Sequence, residues 1–517
     1  MGKYLIGIDE GTTGCKTCVF DLAGNILGTA YREYPCYYPK PGWVEQTGWE
    51  ITNGLFDSCK AAIMNSGIDP KEVVALAIST QGSVWGPLDK DGELIRPFMG
   101  WQDARGASYV DRINNGEFID PARLYQIAGY GPATVPALTK YLWFKDNEPE
   151  LFAKTEYFAS HQEYFLKQFG ADDWFVTDTA TASRTGVFDI DNCCWSKEII
   201  VDALGLDITK FPKIVKAGTQ VGTINQAIAD ATGLAVGTKL CVGAMDQNCS
   251  TMGGGLVKGG SAVAVIGTYG STYVAMDENL RDPHRTLIFK HNSGPENYTF
   301  EAASIASASS YRWFRDVFGQ LEVAAGKVIG EDPYDLINKQ IEMVGPGANG
   351  ITFLPYLQGA GSGPRADSYA RGCILNANLG TTRAEIARSI MEGITFEMRD
   401  NIDSIRRIGI ELNDLRIAGG GTKAPLWCQM QADIYKQPVS VLQTSETGCL
   451  GAAIYAGVGA GVYKDYEEAA EKAVHIKEVY YPNPDNFEAY DKAFARFVTA
   501  YESLANGGFF ALNKEEE

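Results

Sequence analysis

A short stretch near the start of the chain, residues 5–21, constrains the fold more than any other. Its sequence, LIGIDEGTTGCKTCVFD, places an apolar run before an acid, then a turn of small residues, then a second β-rich run. This order predicts a β-hairpin with a glycine turn. Backbone and side chains of such a turn can contact phosphate oxygens, and Asp9 at the strand end could hold a hydrated Mg²⁺. The candidate phosphate-binding residues are Gly11, Thr12, Thr13 and Lys16.

The same design occurs a second time, at residues 264–274, AVIGTYGSTYV. The pattern G-T-x-G starts at Gly11 in the first copy and at Gly267 in the second, an offset of 256 residues (267 − 11). One such turn is also typical of an ordinary solvated hairpin. Two at corresponding places in the halves of the chain predict two similar lobes facing each other across a nucleotide, with Gly267 and Thr268 as the second phosphate contact.

The length of 517 residues is too great for one hydrophobic core, so we expect two large domains. The glycine-rich stretch at 253–255 places the boundary, giving residues 1–252 and 253–517. The net charge of −19 disfavours nucleic acid and anionic membranes as partners. An anionic ligand therefore needs local donors such as the two turns.

The chain shows no apolar run long enough to span a bilayer and no signal peptide, so a cytoplasmic location is expected. Its 11 cysteines are scattered without a framework, which fits a reducing compartment. With only 4 histidines, widely spaced, a histidine-rich metal site is not expected.

Two segments carry candidate ligand-binding residues. A predicted strand over 73–79 delivers Gln81 at its carboxyl end, which is where ligands bind in open α/β sheets. Further on, Trp101, Asp103 and Arg105 combine an aromatic face with a carboxylate and a guanidinium, a set that suits a polyhydroxylated ligand. The alternative is an interfacial tryptophan beside a surface ion pair.

Two later strand ends carry further candidates. The strand over 239–243 ends close to Asp246 and Gln247. The strand over 415–418 runs into three glycines, and a helix is predicted from about Pro425. Such a junction favours a phosphate or a flat base against bare backbone, although a triglycine is also typical of a simple turn. The candidate residues there are Gly420 and Gly421.

Helix signals complete an α/β pattern. Thr47 with Glu50 and Thr382 with Glu385 have the spacing of capping boxes, which predicts helices starting at both places. The second helix carries an apolar stripe, and residues 137–166 also look helical. Strands followed by helices in both halves predict an α/β protein of two related domains.

In this order the motifs resemble the FGGY carbohydrate kinases of the actin-like ATPase superfamily, over nearly the whole chain. No G-x-x-x-x-G-K-[ST] occurs, so a P-loop is absent. The stretches that carry the resemblance are D-x-G-T-T at 9–13, P-G-W-V-E-Q at 41–46, K-Y-L-W at 140–143, G-T at 267–268, E-I-A-R-S-I-M-E at 385–392 and G-G-G at 419–421.

The resemblance implies two actin-like (ribonuclease H-like) domains with a catalytic cleft between them. It implies ATP as phosphate donor, Mg²⁺ held through water by Asp9, and Asp246 as the base that accepts the proton of a sugar hydroxyl. The alternative for Asp246 is a helix cap or salt-bridge carboxylate. The implied nucleotide-binding residues are Gly11, Thr12, Thr13, Lys16, Gly267, Thr268, Gly420 and Gly421, and the sugar-facing ones are Gln81, Trp101, Asp103, Asp246 and Gln247.

The sugar segment departs from the family pattern. Residues 78–83 keep only Gln81, because the His of xylulose kinases and the Arg–Glu pair of glycerol kinases are both missing. The stretches at 354–357 and 370–372 are similar to pentulose kinases, whereas Asp246-Gln247 is similar to glycerol kinases. We therefore expect a kinase of a pentulose-like ketose, with glycerol, tetritol and autoinducer-2 kinases as alternatives. Because family members often dimerise, the resemblance also implies a homodimer. Outside this class, an actin-like chaperone or filament ATPase and an inactive sugar sensor stay open.

Overall fold

The structure is a computed structural model that describes residues 2–295, 297–361 and 363–515. Its backbone forms two compact units, which are described separately. Unit 1 consists of residues 1–259, 275–299 and 446–475, and unit 2 of residues 260–274, 300–445 and 476–517. Both units alternate strands and helices, so the predicted α/β class is confirmed. The division of the chain between residues 252 and 253 stays a prediction.

The secondary structure elements are numbered in chain order. The strands are β1 (Tyr4–Glu10), β2 (Gly14–Asp21), β3 (Ile26–Glu33), β4 (Glu45–Gln46), β5 (Val73–Thr80), β6 (Gly86–Leu88), β7 (Phe98–Met99), β8 (Tyr157–Ala159), β9 (Val176–Asp178), β10 (Phe188–Asp189), β11 (Cys194–Trp195), β12 (Lys213–Val215), β13 (Gln220–Thr223), β14 (Lys239–Cys241), β15 (Ala244–Met245), β16 (Ser261–Ile266), β17 (Gly270–Met276), β18 (Ile288–His291), β19 (Tyr298–Ser304), β20 (Thr352–Leu354), β21 (Cys373–Leu375), β22 (Asp414–Ala418), β23 (Val439–Leu442) and β24 (Ile476–Tyr480). The α-helices are α1 (Gly48–Ser66), α2 (Ala107–Asn114), α3 (Pro121–Ala128), α4 (Ala137–Asn147), α5 (Pro149–Lys154), α6 (His161–Gln168), α7 (Thr179–Ser183), α8 (Gln226–Thr232), α9 (Asp246–Gly253), α10 (Ala308–Phe318), α11 (Gln320–Ile329), α12 (Pro333–Ile341), α13 (Arg383–Arg407), α14 (Pro425–Tyr435), α15 (Thr447–Gly459), α16 (Tyr466–Ala473) and α17 (Phe487–Asn506).

The main sheet of unit 1 has the strand order β13-β14-β5-β1-β2-β3, with β15 also pairing with β5. Strand β1 pairs antiparallel with β2 and parallel with β5. Successive side chains of β1 point to opposite faces, as strand geometry requires. Ile6 and Ile8 join the core that α1 covers, and Leu5 joins the core that α15 covers. The predicted hairpin is confirmed.

Glycines let helices of unit 1 approach their neighbours at backbone distance. A Cβ at Gly7 of β1 would lie 1.8 Å from the carbonyl oxygen of Cys449 in α15. A Cβ at Gly451 of α15 would lie 1.8 Å from the carbonyl oxygen of Cys249 in α9. No side chain fits at either place, so α15 rests directly on both β1 and α9.

Unit 2 repeats the hairpin and the parallel strands of unit 1. The strands of this unit follow the sheet order β19-β17-β16-β22-β23-β24. Strand β16 pairs antiparallel with β17 and parallel with β22, as β1 does with β2 and β5. Helix α13 buries the predicted apolar stripe through Ile390, Ile394, Met398 and Ile402, all fully buried, and the Thr382–Glu385 capping box is present.

Two local predictions need correction. The Thr47 hydroxyl donates to the Glu50 carboxylate and accepts no backbone N–H, so α1 begins there without the capping box. The predicted helix over 137–166 is three helices and a strand. Pro149 starts a new helix after α4, and Tyr157–Ala159 pairs with β6, a partner distant in sequence. Among the described residues, no helix is both long and apolar enough to cross a bilayer.

Candidate active site

The turn between β1 and β2 is closed by a hydrogen bond from the Gly11 N–H to the Gly14 carbonyl, at 3.0 Å. Thr13 is exposed at its tip and Thr12 is partly buried. The Trp101 indole N–H donates to the Thr12 hydroxyl at 3.0 Å, which ties the first phosphate turn to the loop that follows β7. Thr12 belongs to the predicted phosphate-binding residues and Trp101 to the predicted sugar-facing residues, so this contact joins the two predicted sets.

Asp9 lies at the end of β1 with its carboxylate partly buried. The Ser79 hydroxyl of β5 donates to Asp9 Oδ1 at 2.6 Å. The start of α15 approaches from another side, because a Cβ at Gly448 would lie 2.4 Å from Asp9 Oδ2. Burial raises the pKa of Asp9 to about 6, against the opposing effect of the Ser79 hydrogen bond.

Asp246 follows β15 and is the first residue of α9. The neighbouring strand β5 runs parallel to β15, so Asp246 stands at the carboxyl end of the sheet, the position where ligands bind in such folds. The Gln247 N–H donates to Asp246 Oδ1 at 2.9 Å. Burial, and next the charge of Asp9, raise the pKa of Asp246 to about 7. A carboxyl group whose pKa is near 7 can accept and release a proton near neutral pH.

Gln81 connects the end of β5 to the first phosphate turn. Its side-chain nitrogen donates to the carboxylate of Glu10 at 2.5 Å and to the carbonyl of Gly11 at 3.2 Å. Its backbone N–H donates to the same carboxylate at 3.0 Å. His161 Nδ1 lies 3.1 Å from Glu10 Oε2, and both side chains are fully buried. Gln81 is 2% exposed, so this cluster lies beneath the surface of the site.

Of the three candidate residues in the loop after β7, one is partly exposed and two are buried. Trp101 is partly exposed. The Asp103 carboxylate is fully buried and accepts hydrogen bonds from the Val44 N–H at 2.7 Å and from Arg105 Nε at 2.7 Å. The Arg105 guanidinium lies 3.8 Å from the centre of the Trp43 ring. Asp103 therefore holds the loop from inside, and a direct sugar contact by Asp103 stays a prediction.

Lys16, on β2, already has a partner. Its ammonium lies 2.9 Å from the carboxylate of Glu446, the residue that precedes α15. The pair is partly exposed, so it is weak enough for a phosphate to compete for the lysine. Gln247 packs against the loop after β5, since a Cβ at Gly82 would lie 3.5 Å from Gln247 Oε1.

Unit 2 brings its own predicted nucleotide residues together. The Gly267 carbonyl accepts from the Ala308 N–H at 2.7 Å, and Thr268 is exposed at the tip of the turn. A Cβ at Gly419 would lie 2.5 Å from the Ile266 carbonyl oxygen, so the triglycine packs directly on the end of β16. The second phosphate turn and the residues Gly420 and Gly421 are thus neighbours within this unit.

Several site-lining residues were not found from the sequence. Glu10, His161 and Glu446 are paired with residues far away in the chain, and no local pattern marks such pairs. Lys140 does leave a signal, because it is a lone charge in the otherwise apolar start of α4. Among the described residues, no group of three or more His, Cys, Asp or Glu side chains could hold a metal ion.

This arrangement is that of a known kinase family. Residues 4–253 match the N-terminal domain, and residues 262–460 the C-terminal domain, of the FGGY family of carbohydrate kinases. The two matches cover most of the chain, so the protein belongs to the FGGY family of carbohydrate kinases. The predicted family and the predicted enzyme class are confirmed.

Relatives of this chain include both pentulose and glycerol kinases. A xylulose kinase of Bacillus subtilis is 28% identical over 503 residues, 96% of this chain and 97% of that protein. A glycerol kinase of Dechloromonas aromatica is 29% identical over 481 residues, 90% of this chain and 91% of that protein. The crystal structure of a ligand-bound xylulose kinase from Lactobacillus acidophilus has a TM-score of 0.88 and 25% identity, and covers 97% of this chain and 98% of that one.

Membership of the family makes this chain an ATP-using phosphotransferase whose acceptor is a sugar or polyol hydroxyl. The two-domain fold of these kinases is confirmed as well. An actin-like chaperone or a filament ATPase is therefore excluded as the class of this protein.

Proposed function

We propose that this protein phosphorylates a terminal hydroxyl of a pentulose-like ketose, with Asp246 as the catalytic base. The observation that carries the proposal is the position of Asp246 at the carboxyl end of the sheet, beside Asp9, with a pKa of about 7. A primary hydroxyl is a poor nucleophile, and a carboxylate ionised near neutral pH can accept its proton as the oxygen attacks the γ-phosphorus. The bond between that phosphorus and the β-phosphate oxygen breaks, and ADP leaves.

Backbone N–H groups and hydroxyls of the two glycine turns would hold the nucleotide phosphates. These donors would stabilise the negative charge that builds up on the transferred phosphoryl group. Lys16 would exchange Glu446 for a phosphate oxygen. The adenosine would lie on the bare backbone after β22. The residues assigned here are Gly11, Thr12, Thr13, Lys16, Gly267, Thr268, Gly420 and Gly421.

The chemistry of the Asp9 neighbourhood suits Mg²⁺, which is commonly bound by one or two carboxylates together with water and substrate phosphates. Asp9 would hold it through water, and the Ser79 hydroxyl fixes the carboxylate in place. When bound, the ion would neutralise charge on the phosphates. The pKa of about 6 leaves Asp9 mostly ionised at neutral pH, as a ligand must be.

Support for a ketose comes from the xylulose kinase relatives, which match 96% and 97% of this chain. A glycerol kinase relative at 29% identity supports glycerol or a tetritol as the second candidate substrate. The residue pair Asp246-Gln247, which is similar to the glycerol kinase pattern, supports the same candidate. In either case Asp246, Gln247 and Trp101 would face the sugar directly. Gln81 and Asp103 complete the proposed set, and because both are buried they would support the site from beneath the residues that face the sugar.

The test is a coupled ADP-release assay over ketoses, polyols and the autoinducer-2 signal, from three to six carbons. We expect a pentulose to give the highest kcat/KM. Asp246→Asn should lower kcat about 10²–10⁴-fold, the usual contribution of a general base, while ATP binding is retained. Asp178→Asn is the matched control, since Asp178 is a buried aspartate of the same unit that caps α7. Retained turnover in Asp246→Asn would refute the assignment.

We also propose a cytoplasmic location and a homodimer. The 11 cysteines are scattered along the sequence without a disulfide framework, which supports a reducing compartment. Fractionation of cells that express the protein tests the location, and light scattering on the purified protein tests the dimer.

A further inference from the structure

Lys140, in the first turns of α4, is a buried charge at the base of the candidate sugar site. Its side chain is fully buried. The ammonium lies within hydrogen-bond reach of three backbone carbonyls, those of Ser83 at 3.3 Å, Trp101 at 3.4 Å and Val135 at 3.1 Å. An ammonium has three N–H donors, so these three carbonyls use all of them.

The three carbonyls belong to different segments. Ser83 lies in the loop between β5 and β6, which begins with Gln81, and Trp101 lies near the start of the loop after β7. Both loops carry residues of the proposed sugar set. The second loop also packs on α4 beside Lys140, because a Cβ at Gly106 would lie 2.8 Å from the Thr139 hydroxyl oxygen. One side chain therefore joins the two sugar loops to each other and to α4.

The backbone at Ser83 needs such support. Its φ is +61°, a left-handed conformation that a residue with a Cβ rarely adopts. Strain of this kind persists only where the surroundings hold it, and it is concentrated at ligand sites. The Lys140 ammonium holds the Ser83 carbonyl, and the Ser83 hydroxyl donates to the Arg184 carbonyl at 3.3 Å.

We propose that Lys140 is a positioning residue for sugar binding, which sets the loop after β5 against the loop after β7. The inference rests on the proposed function only in that these loops form the sugar site. The charged groups near Lys140 are Asp103 and Arg105, both on the loop after β7.

The test compares Lys140→Met with Lys145→Met. Lys145 lies on the same helix and also donates to backbone carbonyls, those of Leu204 at 2.8 Å and Gly205 at 3.2 Å, away from both sugar loops. We expect the sugar KM of Lys140→Met to rise about tenfold over that of Lys145→Met, the factor that ~1.4 kcal/mol gives. The KM for ATP should stay within about twofold in both variants, a change below 0.5 kcal/mol. Equal sugar KM values in the two variants, or an equal rise in the KM for ATP, would overturn the proposal.

The sugar used is whichever member of the panel the wild-type protein phosphorylates fastest. A substrate other than a pentulose thus refutes the proposed substrate and leaves this comparison unchanged. Circular dichroism and thermal unfolding establish that each variant is folded.

If Lys140→Met does not fold, the pH dependence of sugar binding is measured on the Asp246→Asn protein instead. This variant lacks the proposed base, so the titration of Asp246 in the same pH range does not contribute to the result. Burial lowers the pKa of Lys140 to about 7, so the ammonium loses a donor and its charge as pH rises from 6 to 9. Calorimetry should then show sugar binding several-fold weaker at pH 9 than at pH 6. A sugar affinity that is the same at both pH values would overturn the proposal.

Discussion

Gly420 and Gly421 are adjacent in the chain but have opposite surroundings. A Cβ at Gly420 would meet nothing within 4 Å, whereas one at Gly421 would lie 2.9 Å from Ile266 Cγ2. We therefore expect Gly420→Ala to leave the melting temperature unchanged and to raise the KM for ATP, because the new methyl group lies where the base would rest on bare backbone. Unfolding followed by fluorescence and ATP kinetics measure the two effects.

Gly421→Ala is the matched partner of that variant. Its methyl group presses on β16, so it should lower the stability of unit 2 by about 1–3 kcal/mol, as overpacking does. If Gly420→Ala leaves the KM for ATP unchanged, the nucleotide does not use this backbone. A loss of stability in Gly420→Ala would contradict the open space beside it.

Asp246 also predicts a pH profile for the reaction. Its carboxylate must be ionised to accept a proton, and its pKa is raised to about 7 by burial and by the nearby charge of Asp9. We expect kcat to rise with pH, with a midpoint near 7, and to level off above 8. Initial rates from pH 5.5 to 9 at saturating substrates measure it. A kcat that is flat between pH 6 and 8 would contradict Asp246 as the base.

At the scale of elements, α15 depends on glycine for its contact with α9. Gly451→Ala would place a methyl group 1.8 Å from the Cys249 carbonyl oxygen, so the two helices must separate. We expect a loss of about 1–3 kcal/mol or more in the free energy of unfolding. Because α9 begins with Asp246, kcat should fall as well. Urea titration and initial rates measure both effects.

Gly131→Ala serves as control, since a Cβ there meets nothing within 4 Å and its backbone is not left-handed. Its stability should equal or slightly exceed that of the wild-type protein, because alanine restricts the unfolded chain. If Gly131→Ala and Gly451→Ala lose the same free energy of unfolding, the close approach of α15 to α9 is not the cause of the loss in Gly451→Ala.

The elements that the sequence predicts correctly are those with local causes. The two hairpins, the strand over 73–79 and the capped helix α13 each depend on neighbouring residues: a glycine turn, an apolar run, a capping box. The strand β8 was missed because its partner β6 lies about 70 residues earlier. Distant partners have no local signature.

The same difference holds for the candidate site. The strand-end residues Asp9, Asp246 and Gln247 are found by the rule that ligands lie at carboxyl ends of parallel strands. The supporting residues Glu10 and His161 are not, because their pairing depends on which segments meet in space. Lys140 stands in a motif of the sequence, but its contacts with two loops are not visible there. For the same reason the sequence does not indicate that Asp103 is buried behind the loop that carries it.

At the scale of the whole molecule, the protein is acidic, and some of its carboxyl groups are buried. The net charge is −19. Burial raises the pKa of Glu392 to about 7 and that of Glu397 to about 8, both in α13 of unit 2. A carboxyl group that is harder to ionise when folded opposes folding once pH exceeds its ordinary pKa. We therefore expect stability to fall as pH rises from 5 to 8.

Glu397 provides the sharpest test of this pH dependence. Its ordinary pKa is 4.5 and its folded pKa is about 8, so between these values the folded state holds a proton that the unfolded state has lost. The stabilisation is complete below 4.5 and is lost as pH rises through 8. Glu397→Gln keeps the acceptor for the Ser304 hydroxyl but cannot ionise, so its melting temperature should fall less between pH 5 and 8 than that of the wild-type protein. Each kcal/mol of unfolding free energy that the variant retains corresponds to about 2–4 °C in melting temperature. Glu411 is exposed, so the melting temperature of Glu411→Gln should change with pH as that of the wild-type protein does. If the melting temperature of Glu397→Gln changes with pH in the same way, the role of Glu397 is contradicted.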